Sequence, residues 1–309
     1  MKQQPRRLSP ALVLGSVATT ARRTISPGVR GVGLRTHALR YDNLSSNAFS
    51  RIAEEFLRHS RMSRWDRETL LSIAGYVDDT EALTRSRVDQ QPVISTVALP
   101  PLAPIGTSLT SAVAARRSVR RFSGASLTLN DLAGILRHAC SVTALGDVDL
   151  AGGGSIPTAL RAYASAGGLY PVQTWYAPLR TEGLADRVYR YRSDLDALEP
   201  VLGLGLERIH QLLAAFDVQD GSVDLDRAAG LLLLVAIPWR SMRKYGPRGL
   251  RFVFGEAGAI AHGAHLAATA LGVGSLDYSG YYDDEANDAL GLDGLHELLV
   301  HAVIVGHPR

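Results

Sequence analysis

A chain of 309 residues with 46% hydrophobic and 20% charged residues has enough apolar material for one large core, which excludes it from the disordered class. Its one cysteine, Cys140, rules out an intramolecular disulfide, a cysteine-built zinc site and a dithiol redox centre, so redox chemistry here requires a bound cofactor. The formal net charge of +3 does not mark a nucleic-acid-binding face, because residues 1–40 hold eight Lys or Arg and no Asp or Glu, leaving residues 41–309 net acidic.

Residues 1–40 form a basic arm with Arg6-Arg7 ahead of Ala11-Leu12-Val13-Leu14. That apolar run is shorter than a signal-peptide core and has no small-residue cleavage site, so a flexible arm or a strand docking on a partner is expected. Residues 41–90 read as a small helical region. Phe49, Ile52, Phe56 and Leu57 recur at helical spacing, and Ser63-x-x-Asp66 has the form of a capping box before Leu70, Leu71 and Ile73. Pro92, Pro100, Pro101 and Pro104 make 91–110 a linker, and the main domain is expected over 111–309. Within it, Thr128-x-x-Asp131 can cap a helix whose Leu129, Leu132, Leu136 and Ala139 share a face. Gly152-Gly153-Gly154 reads as a loop, and 172–177 and 187–193 as strands, the second alternating Tyr189 and Tyr191 with Arg190 and Arg192. Ile209, Leu212, Leu213 and Phe216 predict a helix over 206–216, and the runs at 231–237 and 298–305 are of β type. The Ala-rich stretch 256–271 reads as a helix packed among other helices. The longest apolar candidate, 252–273, contains Glu256, His262 and His265, so no run of about 20 apolar residues exists and a soluble cytoplasmic protein is expected. Helices and strands mix without a regular βαβ repeat or a GxGxxG turn, which favours an α+β fold.

Among 33 basic residues only Lys2 and Lys244 are lysines, and the second stands in Met242-Arg243-Lys244-Tyr245-Gly246. Arginine stays protonated in a protein, whereas a lysine whose pKa is lowered by burial can act as a base, so Lys244 is the first candidate for proton transfer. An ordinary surface lysine is the competing reading. Arg116-Arg117-Ser118-Val119-Arg120-Arg121 is an anion-binding candidate, since guanidinium forks and an intervening hydroxyl match a phosphate group. A solvated basic run is its plain alternative. In Ser165-Ala166-Gly167-Gly168-Leu169-Tyr170-Pro171 the paired glycines let backbone N–H groups approach a flat ligand. Leu271-Gly272-Val273-Gly274-Ser275 either passes close to a ligand or serves only as a glycine C-cap. His262 and His265 lack a third ligand cluster and read as core or pocket histidines, so no metal is expected.

The ordered set of these segments resembles the SagB-type, FMN-dependent azoline dehydrogenases of the nitroreductase superfamily. The resemblance runs from about Ala115 to Arg309. It rests on Arg-Arg-Ser-x-Arg at 116–120, Ser-x-Gly-Gly-Leu-Tyr-Pro at 165–171, Lys244-Tyr245-Gly246 before Arg251-Phe252, Gly255-Glu256-Ala257-Gly258, and residues 270–275. It implies a nitroreductase-like α+β fold, a central mixed or antiparallel sheet flanked by helices, with FMN at the interface of a homodimer. Carried over residue by residue, Arg116, Ser118 and Arg120 hold the phosphate and ribityl chain, with Arg117 contributing mainly backbone. Ser165, Gly167 and Gly168 lie along the flavin, Gly274 and Ser275 complete the cofactor site, and Lys244 with Tyr245 is the catalytic pair. One segment departs from the family pattern: where the long helix often reads Gly-His-x-x-Gln-Asn, this chain has Gly258-Ala259-Ile260-Ala261-His262-Gly263.

The resemblance further implies oxidation of a thiazoline or oxazoline ring, in a heterocyclised precursor peptide of ribosomal origin, to the thiazole or oxazole. A cyclodehydratase is the implied partner enzyme. Two other functions remain open on the sequence: an FMN oxidoreductase acting on a small molecule with NAD(P)H, and a docking subunit of a peptide-modifying complex working through residues 1–90.

Overall fold

The computed structural model describes residues 53, 55–62, 65–76, 93, 95–102, 104–149, 153–216 and 221–309. By contact the chain forms two compact units, 1–61 and 62–309. The first is described only at 53 and 55–61, where 55–59 are helical and the Ser60 hydroxyl donates to the Phe56 carbonyl. The expectations for the arm and for Phe49 and Ile52 lie outside the described residues.

In the second unit the elements run α1 (Arg67–Gly75), β1 (Val97–Ala98), α2 (Leu109–Ala115), α3 (Leu129–Cys140), β2 (Val142–Asp149), β3 (Ser155–Arg161), β4 (Val172–Pro178), β5 (Arg187–Arg192) and β6 (Ala197–Gly205). Then follow α4 (Leu206–Phe216), β7 (Gly230–Ala236), α5 (Pro238–Tyr245), α6 (Gly249–Ala270), β8 (Gly274–Tyr278), α7 (Asp283–Leu290) and β9 (Leu298–Gly306). Seven strands make one sheet in the order β1-β6-β5-β4-β7-β9-β8, antiparallel at every ladder. The fold is α+β.

The apolar run of β7 is continuous because the strand is covered on both faces. Leu232 and Leu234 join Val172, Tyr176, Val303 and Val305 under α3 and α6, while Leu231, Leu233 and Val235 join Trp175, Ile304 and the inner faces of α4 and α7. Each fully buried leucine contributes about 1.5–3 kcal/mol, so this strand anchors both layers.

Thr128 caps α3 as its sequence predicts: its Oγ1 accepts the Asp131 amide at 3.1 Å and its hydroxyl donates to Asp131 Oδ2 at 2.6 Å. The cap of α1 is Asp66, whose Oδ1 accepts the Thr69 amide at 3.1 Å. The long helix starts at Gly249, seven residues ahead of the Ala-rich stretch, because Val253 continues the buried face one turn earlier. On β5 Arg190 and Arg192 are buried along with Tyr189 and Tyr191. Glu199 Oε2 takes Arg190 Nη2 at 2.5 Å and Arg192 Nη1 at 3.3 Å, and this pairing is what makes burial of two guanidinium groups tolerable. The hairpin β2–β3 is a separate two-stranded ribbon, turning through Gly153 and Gly154 at φ +91° and +87°. Among the described residues no helix is long and apolar enough to cross a membrane.

Candidate active site

The loop from Ser165 to β4 folds on itself. The Ser165 carbonyl accepts the Gly168 amide at 3.0 Å, and Ser165 Oγ accepts the Tyr170 amide at 2.9 Å. Gly167 and Gly168 adopt φ of +68° and +64°, which glycine takes without a Cβ penalty. Tyr170 shares the left-handed region at φ +45°. It is held there by the Arg161 amide, which donates to its hydroxyl at 3.1 Å, by the Arg161 guanidinium 4.5 Å over its ring, and by Tyr163 packed edge-on at 5.6 Å.

The end of α5 meets this loop from the other side. A Cβ on Gly167 would stand 2.7 Å from Tyr245 Oη and 3.0 Å from Lys244 Nζ, so the bare backbone of Gly167 is what lets both groups approach. Lys244 Nζ also lies 5.0 Å from the ring of Tyr76 and 5.3 Å from that of Tyr245, an aromatic surround that favours a cation. Tyr76, one residue past α1, is buried, and α1 is tied to α5 by the Ser72 hydroxyl donating to the Arg243 carbonyl at 3.0 Å. Burial, with Tyr76 as a secondary influence, raises the Tyr245 phenol above its ordinary range, so it is a hydrogen-bond donor at neutral pH. Phe252 packs against its ring at 5.0 Å.

The arginine segment lies against β8. Ser118 bridges Ser275, the Val119 amide donates to the Ser275 carbonyl at 3.0 Å, and a Cβ on Gly274 would meet Val119 Cγ1 at 2.9 Å. Gly274 is thus what admits the segment to the strand. Arg116 and Arg120 are half-buried and Ser118 is exposed. The Arg117 guanidinium is committed elsewhere, donating to the Ala114 and Arg116 carbonyls at 3.0 and 2.7 Å at the end of α2. Buried Ser275 shares a 2.7 Å hydrogen bond with His265 Nδ1. His265 Nε2 and His301 Nε2 each lie 2.8 Å from Asp277 Oδ1, and Ser279 Oγ lies 3.0 Å from His301 Nδ1. These two histidines, His265 first, hold the Asp277 carboxyl well below the usual range.

Ser165, Gly167, Gly168, Lys244 and Tyr245 therefore gather at one place, and Ser118, Gly274 and Ser275 at another, with Arg116 and Arg120 two residues to either side of Ser118 in the same segment. Helix α6 joins them: Glu256 sits behind the glycine loop and His265 under β8, nine residues on, a distance of about 13 Å along the axis. That arrangement suits an elongated ligand with an anionic end and a flat end. Glu256 is 3% exposed, and burial pushes its carboxyl up to about 7 despite Ser165, the Val172 amide, Arg161 and Arg240. Neither Tyr76 nor Glu256 is marked for a role by the sequence alone. A lone carboxylate on an otherwise Ala/Gly-rich helix was the available signal for the second. His262 is exposed, and at the next position a Cβ on Gly263 would come 3.1 Å from Ala139 Cα, so an asparagine there would collide with α3.

A cavity of about 330 Å³ on the opposite face of the sheet, bounded by Gln173, Trp175, Arg190 and Glu199, contains none of these residues. Among the described residues no cluster of three or more His, Cys, Asp or Glu is arranged to hold a metal ion.

Residues 113–307 match the Nitroreductase family. A Methanocaldococcus jannaschii protein carrying a nitroreductase name is 31% identical over 176 residues, 57% of this chain and 80% of that protein. The structure of a nitroreductase-named protein from Ralstonia eutropha superposes with a TM-score of 0.54 at 21% identity, covering 72% of this chain and 93% of the other. A chain of the E. coli microcin synthetase McbBCD complex with truncated pro-MccB17 bound superposes with a TM-score of 0.52 at 21% identity, covering 84% and 92%. At these identities the two structures establish a common fold.

Proposed function

The chain belongs to the nitroreductase family, and from that premise we propose that it is an FMN-dependent azoline dehydrogenase, oxidising a thiazoline or oxazoline ring of a heterocyclised precursor peptide to the aromatic azole. The observation that carries this reading is the meeting of Lys244 Nζ and Tyr245 Oη on the backbone of Gly167. The residues present fit FMN. Two half-buried guanidinium groups and the Ser118 hydroxyl match a phosphate, and the space beside the positive-φ Gly168, with no atom within 4 Å of its would-be Cβ, leaves room for a flat ring. When bound, FMN supplies the hydride acceptor.

The remaining steps belong to this chain. Lys244, in its neutral form, takes the acidic ring proton as a general base. The Tyr76 and Tyr245 rings, 5.0 and 5.3 Å from Nζ, then stabilise the ammonium that forms. Tyr245, protonated at neutral pH, donates a hydrogen bond that orients the ring or the amine. Arg116, Ser118 and Arg120, in the segment that Gly274 and Ser275 of β8 support, would hold the anionic end of the cofactor. A homodimer is supported by the exposed stripe Phe254, Gly255, Gly258 and Ala259 on α6, where small side chains permit close packing. The fold-level likeness to a chain of a synthetase complex with a truncated pro-peptide bound is consistent with a peptide substrate and a synthetase partner, which we take to be a cyclodehydratase.

The 31% identity to a nitroreductase-named protein favours a second reading, reduction of a small molecule with NAD(P)H as donor. The two are separated by mixing FMN-loaded protein anaerobically with an azoline peptide or with NAD(P)H. The proposal expects the peptide to bleach the flavin and to gain an azole, whereas bleaching by NAD(P)H alone supports the second reading.

A further inference from the structure

Glu256 has no part in the reaction above, yet it is buried directly behind the glycine loop. Its Oε1 accepts the Val172 amide at 3.2 Å where β4 begins. Its Oε2, equally buried, meets no donor at hydrogen-bonding geometry among the described residues. The groups facing the carboxyl are the Ser165 hydroxyl of the loop, Arg161 from β3, Tyr163 beyond it and Arg240 from α5. Burial outweighs the two guanidinium groups, so the carboxyl changes charge at about 7.

Ser165 Oγ already accepts the Tyr170 amide at 2.9 Å, which leaves it one proton and one lone pair. With Glu256 ionised, the carboxylate draws the Ser165 proton. With Glu256 neutral, its own O–H is satisfied by donating to the remaining lone pair of Ser165, and the Ser165 proton is released for another acceptor. The buried Oε2 thereby ceases to be an orphan.

We propose that Glu256 is a positioning residue that aims the Ser165 hydroxyl, and so sets whether the glycine loop offers a hydrogen-bond donor to the ligand lying against it. This inference rests on the reading of the loop as part of the active site. It makes that loop a donor at lower pH and removes the donor above neutrality.

The test is an amide NMR titration of the full-length protein from about pH 5 to about pH 9, following Val172 and Tyr170, whose N–H groups bond Glu256 and Ser165. Both signals should move together with a midpoint of about 7 in the wild type. In Glu256→Gln, whose amide always donates, both should stay flat. In Ser165→Ala only Val172 should titrate. Measured alongside, FMN affinity of the wild type should fall about 2–10-fold across the same midpoint, and Glu256→Gln should keep the low-pH affinity throughout. Wild-type amides that do not titrate together, or an inflection that persists in Glu256→Gln, would overturn the inference. Coupled amide titration in a protein that takes up no FMN would leave the Glu256–Ser165 coupling standing and remove the flavin reading instead.

Discussion

Placing a methyl group on Gly167 separates the stability of the fold from the geometry of the site. The new Cβ would stand 2.7 Å from Tyr245 Oη and 3.0 Å from Lys244 Nζ, and both atoms are the far ends of flexible side chains, so they move aside rather than unfold the loop. The backbone keeps its φ of +68°, which costs an alanine about 1–2 kcal/mol; the reduced entropy of the unfolded chain returns about 0.4–1 kcal/mol. A net loss of about 1 kcal/mol lowers Tm by about 2–4 °C in a domain of this size. The displaced pair loses its alignment with the reacting ring, and a misplacement of about 1 Å costs about 10²-fold in rate. Gly168→Ala is the stability control, because its φ is +64° and no atom lies within 4 Å of its would-be Cβ. Thermal denaturation should therefore give similar shifts for the two variants, and single-turnover flavin reduction should be slowed about 10²-fold in Gly167→Ala. A Gly167→Ala protein that reduces flavin at the wild-type rate would refute the claim that Lys244 and Tyr245 react where they meet this loop.

Arg116→Ala with Arg120→Ala should lower FMN affinity about 10²–10⁴-fold by fluorescence titration, as each charge-assisted contact contributes about 1.5–3 kcal/mol; an unchanged Kd would place the phosphate elsewhere. Glu256 is raised from 4.5 to about 7 on folding, so the folded protein holds its proton longer than the unfolded chain and stability falls as pH rises through that window. The penalty is complete above about 7 and is at most about 3 kcal/mol, so Glu256→Gln should be more stable than wild type in alkaline chemical denaturation and lose that advantage in acid. Asp277 behaves in the opposite sense: its folded carboxyl is depressed by His265 and His301, so its contribution is present above the ordinary carboxylate range and lost as pH falls below it. Asp277→Asn should flatten the acid limb of a Tm–pH curve, and an acid limb identical to wild type would show that the histidine pairing adds nothing.

The parts of the fold set by local chemistry were legible in the sequence. Thr128 and Asp131 cap α3 because they are three residues apart, and the leucine run of β7 reads as a strand because no neighbour can change its apolarity. The hairpin β2–β3 was not legible, since residues such as Leu145 and Leu160 are exposed and give no inward face to alternate with. As sequence motifs Gly167 and Lys244 stand far apart; their contact is a tertiary fact, made because the glycine loop leads into β4, β4 pairs with β7 with Val172 opposite Ala236, and β7 leads into α5. The same holds for Tyr76, which became part of the site only because α1 docks on α5. Glu256 looked like one polar residue on a helix, and its altered acidity depends on what buries it.

The most direct test of the central claim is anaerobic single-turnover reduction of FMN-loaded protein by a chemically prepared azoline peptide, with azole formation followed by mass spectrometry. The account predicts loss of the oxidised-flavin absorbance with formation of one azole per flavin in the wild type, and no bleaching in Lys244→Arg, which keeps the positive charge and cannot take a proton. Near wild-type bleaching by Lys244→Arg, or a wild-type protein that binds FMN and leaves the azoline untouched, would contradict it.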